Sequence, residues 1–260
     1  MSGARVEQIE SSIPCQTIGG ATLYLGDCLE VLPGLDEKAD LLAVDAPYKL
    51  TSGGVGKPSK TQIPMRGKFD AATYANDGDI VLCDVKWADW MGLAFAALKA
   101  DADAYFMAND KEVFPCWNAA MAVGFKHHNL LPWDKISPTA NKFYMKNNEF
   151  VLYCWKGRAR TINDPSQQQT IRMRAPRGAD SRHKTQKPWR LMANYIRQSS
   201  QPGDLVLDPF MGSGSTGVAA LKEGRRFIGI EKDAAIYETA CRRLREIRGE
   251  LDIGLFGVAV

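Results

Sequence analysis

Two short stretches place reactive residue types where an apolar run should simply turn. In "LVLDPFMGSGSTG" the run reaches Asp208, Pro209 and Phe210, and a loop with Gly212, Gly214 and Gly217 follows before helical sequence resumes. Glycines at that spacing let a backbone approach a ligand closely. Glu231, which closes the next apolar run "RFIGIE", can accept hydrogen bonds from both hydroxyls of a ribose. That is chemistry for a nucleoside cofactor. A dinucleotide is the obvious candidate, but too few residues follow Gly217 to build the second half of a dinucleotide domain. Asp208 would also repel a pyrophosphate while attracting an ammonium or a sulfonium. S-adenosyl-L-methionine carries both of those cations. The other stretch is "LLAVDAPY", where Leu41 to Val44 run into Asp45, Ala46, Pro47 and Tyr48. On these four residues alone, a turn capping a strand is a sufficient reading.

The elements that must position these residues alternate along the chain. Short apolar runs read as strands at 21–27, 39–45, 104–110, 127–135, 205–210 and 226–233. Helical spacing of apolar positions falls at 28–35, 86–101, 113–125, 188–200 and 234–249, and 212–224 reads as a loop running into a helix. "EFVLYCWKG" (149–157) reads as an edge strand, and residues 49–79 as a loop rich in Gly and Pro. Strand alternating with helix predicts an α/β fold: a doubly wound, mainly parallel sheet of the Rossmann-like type, forming a single domain over 1–260.

Composition is ordinary for a globular chain, with 45% hydrophobic and 24% charged residues. The net charge of +3 decides nothing, but its distribution does. Lys156 to Arg190 holds ten Lys and Arg against two acids, and Lys49 to Phe69 holds five basic residues and no acid. Two basic segments in a nearly neutral protein predict a polyanion on one face, with two solvated loops as the bland alternative. The six cysteines are scattered and there are only three histidines (127, 128 and 183), which argues against zinc and against a disulfide framework. No apolar run approaches a membrane span, so the expectation is a reduced, cytoplasmic protein with no membrane partner.

Taken together, Asp208 to Gly217 and Asp45 to Tyr48 resemble the amino-methylating DNA methyltransferases. That family methylates adenine N6 or cytosine N4, and uses a D-P-F-x-G-S-G-T loop and a [D/N/S]-P-P-[Y/F/W] tetrapeptide. The base-binding tetrapeptide comes first in this chain and the cofactor loop last, as in the permuted β class. The resemblance covers nearly the whole chain. "GD" at Gly26 and Asp27 resembles the segment that contacts the cofactor's adenine, the reading favoured by its position, with a cap for a helix starting at Cys28 as the alternative. "HKTQKPWRLM" (183–192) resembles an H-P-T-Q-K-P element, in which Thr185 and Lys187 would meet the methionine carboxylate of the cofactor. Lys187 could also be only a solvated neighbour of Pro188. "LPWDKISP" (131–138) and "NNEFVLYCWKG" (147–157) resemble later strands of the family's sheet, with Trp133 and Trp155 expected to pack on the sheet.

The resemblance implies that S-adenosyl-L-methionine, without any metal, is held by Asp27, Thr185, Lys187, Asp208, Phe210, Gly212, Gly214 and Glu231. It also implies that a base flipped out of DNA is held by Asp45, Ala46, Pro47 and Tyr48. Asp45 and the carbonyl of residue 46 would accept hydrogen bonds from the amine, Pro47 would stiffen the turn, and Tyr48 would stack on the base. Ala46 departs from the family's first proline. It keeps the carbonyl and loses rigidity. The leading Asp points to adenine N6. The alternatives are cytosine N4 on the same scaffold, a DNA-binding protein weakened at Ala46, and RNA or protein as acceptor. Lys49, Lys57 and Lys60 in the loop, with Arg172, Arg174, Arg177 and Arg182, are candidates for phosphate contact. The segment 158–182 is a short candidate for target recognition, with the 49–79 loop sharing the task. So short a reader fits a relaxed site or a homodimer. The chain has no nuclease motif, which fits a lone modification enzyme, in a bacterial or phage-infected cell, or the partner of a separate restriction endonuclease.

Overall fold

The computed structural model describes residues 13–47, 85–139, 144–176 and 186–256. Among the described residues, nine strands form one sheet in the order β1-β2-β9-β8-β3-β4-β6-β5-β7. Its centre is β3 (Ala39–Val44), flanked by β8 (Leu205–Asp208) and β4 (Leu98–Ala108), both parallel to it. From β8 the parallel set continues through β9 (Arg226–Glu231) to β2 (Ala21–Leu25). These strands are near-continuous apolar runs because both faces of the sheet are covered. Leu41, Leu42, Ala43 and Val44 are all buried.

The helices divide between the two faces. On one lie the single turn α1 (Cys28–Val31), α2 (Trp87–Ala96) and α3 (Val113–Val123), which bury Trp90, Met91 and Cys116 against Leu42, Val44 and Phe106. In α2 the buried set is Trp87, Trp90, Met91 and Ala94, the i, i+3, i+4, i+7 stripe of an amphipathic helix. On the opposite face lie α4 (Trp189–Ser199), α5 (Ser215–Lys222) and α6 (Ala234–Phe256), packed on Leu23, Leu41, Ala43 and Val206. The doubly wound, largely parallel sheet expected from the alternation is thus present. Among the described residues, the buried Tyr195 hydroxyl and Asp103 Oδ1 have no hydrogen-bond partner.

Three features differ from the sequence expectations. "EFVLYCWKG" does not form an edge strand. β6 (Lys146–Trp155) lies inside the sheet, antiparallel to β4 on one side and to β5 (Lys126–Thr139) on the other. Val151 to Cys154 are buried on both faces, which is why the run is uniformly apolar instead of alternating. The outer positions belong to β7 (Ile171–Arg172), beyond β5, and to β1 (Cys15–Ile18), which the sequence reading missed. β1 reaches β2 through the two-residue turn Gly19-Gly20, with Gly19 at φ +59, a conformation that glycine adopts without Cβ strain. The helix expected over 86–101 ends at Ala96, and Leu98 already begins β4.

Candidate active site

Parallel strands bring their carboxyl ends to one edge of the sheet. Connections leave β3 toward β4 on one side and β8 toward β9 on the other, so the crevice between β3 and β8 is the switch point where open α/β sheets bind ligands. Asp45 follows β3, Asp208 ends β8, Glu231 ends β9, and Gly26-Asp27 follow β2. All of these line a single cleft of about 880 Å³, together with Ala46, Pro47, Lys187, Phe210, Gly212 and Thr216. A volume of this order suits a nucleoside-sized ligand and part of a second one.

The glycine loop is held by its neighbours. Gly212 and Gly214 stand at φ +52 and +82, where a Cβ would be strained. A Cβ on Gly214 would also meet the Leu244 and Ala240 side chains at 3.0 and 3.2 Å. Arg243, buried on α6, donates from its guanidinium to Ser213 Oγ (2.9 Å) and to the Ser213 carbonyl, fixing the loop from below. Ser215 Oγ donates to the Lys187 carbonyl at 3.0 Å, which ties the segment before α4 to the start of α5. The Phe210 ring meets Trp90 edge to face at 5.0 Å.

Burial sets the electrostatics. Asp208 is sealed, and although Phe210 N–H donates to it at 3.0 Å and the Thr216 side chain hydrogen-bonds to it, desolvation pushes its pKa up to about 7. Asp45 and Glu231 lie near enough for their charges to raise it further. Glu231 is itself raised, by burial first, while the Asp233 N–H at 2.8 Å partly offsets that. Asp45 is also raised by burial, opposed by the Lys187 ammonium and assisted by Glu149. Its side chain keeps 25% of its surface exposed, while Oδ1 is sealed. Lys187 Nζ lies 3.1 Å from Oδ1, and its hydrogen bond to this carboxylate favours the ionised form.

Of the residues singled out in the sequence, Asp27, Asp45, Ala46, Pro47, Lys187, Asp208, Phe210, Gly212 and Glu231 line the cleft, with Gly214 directly behind it. Asp27 does two things: Oδ1 accepts the Leu29 N–H at 2.9 Å as the cap of α1, and the residue faces the cleft. Lys187 contacts Asp45 and Glu149, and both ion pairs are largely buried. Arg172 and Arg174 are exposed on the outer face of β7 and its continuation, and Arg172 Nε reaches Asp134 at 3.1 Å. Tyr48, Lys49, Lys57, Lys60, Arg177, Arg182 and Thr185, with the 49–79 loop, lie outside the described residues. Trp133 is buried as expected, donating from its indole N–H to the Met173 carbonyl at 2.8 Å, but it lines the cleft as well. Sequence reasoning missed Lys135, Glu149 and Arg243. A lone Lys and Glu on neighbouring strands carry no signal until the β5–β6 register is known. Among the described residues, no group of three or more His, Cys, Asp or Glu is placed to hold a metal ion, and no helix is long and apolar enough to cross a membrane.

Comparison with known proteins agrees with this geometry. A DNA methylase family model, covering N6 and N4 enzymes, matches residues 39–242. The type II methyltransferase M2.MboI of Moraxella bovis is 28% identical over 86% of this chain and 88% of its own. M2.DpnII of Streptococcus pneumoniae is 27% identical over 80% and 83%. Among solved structures, M1.HpyAVI in complex with SAM superposes with a TM-score of 0.63 at 23% identity, covering 86% of this chain and 99% of that one. The cytosine-N4-specific PvuII methyltransferase gives 0.61 at 18% identity, over 90% and 93%. With the family match spanning both the strand that ends at Asp45 and the loop that follows Asp208, the chain belongs to the N6/N4 DNA methylase family.

Proposed function

We propose that this chain transfers a methyl group from S-adenosyl-L-methionine to the N6 amine of adenine in DNA. The observation that carries the reading is the convergence of Asp45-Ala46-Pro47 with Asp208, the glycine loop and Glu231 on one cleft. The residues present suit the cofactor. Three carboxylates share a buried site, Asp208 is driven toward neutrality, and a cation beside it would favour its ionised form. A relative solved as a SAM complex has the same fold. On this reading Asp208 and the loop amides take the amino-acid end, Glu231 the ribose and Asp27 the adenine. The cofactor supplies an electrophilic methyl group.

The chain's own residues prepare the acceptor. An exocyclic amine is a poor nucleophile because its lone pair is delocalised into the ring. Asp45 and the Ala46 carbonyl, accepting from its two protons, draw the nitrogen toward tetrahedral geometry and aim the lone pair. The extra proton of the methylated amine then leaves to Asp45 or to water, so no separate base is required. Pro47 limits the turn that presents the Ala46 carbonyl. Asp at the head of the tetrapeptide favours adenine. Arg172 and Arg174 hold phosphates, and 158–182 with the 49–79 loop supplies target recognition. The test is transfer of labelled methyl groups to unmethylated DNA, beside Asp45→Ala. Wild-type labelling that the variant loses while still binding cofactor supports the reading. Equal labelling by both removes Asp45 from the reaction.

A further inference from the structure

A row of alternating charges leads away from Asp45 along the cleft wall. Lys187 Nζ lies 3.1 Å from Asp45 Oδ1 and 3.2 Å from Glu149 Oε2, and Lys135 Nζ lies 3.2 Å from Glu149 Oε1. The Lys187 side chain is only 10% exposed, those of Glu149 and Lys135 19% and 20%. Charges this far from water are costly unless paired, and here each inner member of the row is paired on both sides. The pairing follows from the β5–β6 register, in which Trp133 faces Glu149, so that Lys135 is the diagonal neighbour of Glu149.

Asp45 faces contradictory demands. To accept a hydrogen bond and then a proton from an amine it must be ionised, but burial favours its neutral form, and the nearby Glu149 carboxylate does the same. Lys187 opposes them. A lysine bound to Asp45 alone, however, would occupy the lone pairs that the base needs. Glu149 takes part of that ammonium, and Lys135, on its far side, limits how much. We propose that Glu149 and Lys135 are positioning residues that act through Lys187 to keep Asp45 ionised yet open to the amine of the target base. The inference rests on the role given to Asp45 above.

Opposite signs make it testable in the ligand-free protein. In Glu149→Gln a neighbouring negative charge disappears and its pull on Lys187 goes with it, so the Asp45 titration midpoint falls. In Lys135→Gln, Glu149 draws Lys187 more strongly and the midpoint rises. The midpoints are read by carbon NMR of carboxyl-labelled aspartate, with the Asp45 resonance assigned by its loss in Asp45→Asn. Shifts of about one pH unit in opposite directions are expected, and Glu149→Asp and Lys135→Arg restore values near wild type. If Glu149→Gln does not fold, a rise in Lys135→Gln remains the deciding result. The acidic limb of the methyl-transfer pH profile, kcat/KM, moves with the midpoint in each variant. Midpoints that stay fixed, or that move the same way in both variants, overturn the proposal. Opposite shifts with no methyl transfer to DNA would leave the relay standing and reject the proposed function instead.

Discussion

Asp45, Asp208 and Glu231 are all carboxylates at strand ends, and their surroundings separate them. Asp208 is wholly sealed, and desolvation pushes its pKa up to about 7. A carboxyl whose pKa rises on folding contributes stability that is complete below its unfolded value and lost as pH rises through the folded one. For Asp208 that window runs from about 3.8 to about 7, with a slope near 1.4 kcal/mol per pH unit. Asp208→Asn, which keeps an oxygen for the Phe210 N–H, is therefore expected to gain stability relative to wild type between pH 5 and pH 8 in denaturant melts. A constant difference across that range would contradict the burial account. The same variant should lose the rise in cofactor affinity expected of wild type through pH 7, measured by calorimetry. Ala46 is buried at the turn, and its carbonyl does not depend on its side chain. Ala46→Pro should leave the identity of the methylated base unchanged, and a switch of base would show that the acceptors are assigned wrongly.

At the scale of elements, most of the architecture was legible because burial on both faces writes continuous apolar runs. β3, β8 and β9 are plain in the sequence, and so are the acids that end them. Less legible was everything that depends on pairing between distant segments. β6 reads as an outer strand until β5 and β7 are placed beyond it, and β1 is too short to announce itself. The Lys135–Glu149–Lys187 row is hidden for the same reason, since three charges from two strands and a helix-leading segment meet only through the register. The glycine loop was legible in type but not in its full cause. Gly217 sits where a Cβ would come within 2.7 Å of the Phe227 ring, so α5 lies against β9 only if that position is bare. Gly217→Ala should cost about 1–3 kcal/mol in unfolding experiments and weaken cofactor binding, as overpacking moves the helix. Unchanged stability would mean that the helix tolerates the shift without disturbing the loop.

For the whole molecule, the doubly wound sheet gathers four strand ends at one edge and leaves basic residues of the 158–176 stretch on the outside. Asp134 pairs Arg172, and Arg174 is exposed two residues further on. If both hold phosphates, replacing each with Ala should weaken DNA binding about equally across sequences and lower the slope of log affinity against log salt by about one. A slope unchanged in both variants would move the phosphate contacts elsewhere. The central claim concerns the reaction itself. It is tested most directly by nucleoside mass spectrometry of unmethylated genomic DNA incubated with the protein and S-adenosyl-L-methionine. N6-methyladenine, formed by wild type and absent with Asp45→Ala, is the expected result. N4-methylcytosine in its place, or a DNA product that persists without Asp45, would contradict it.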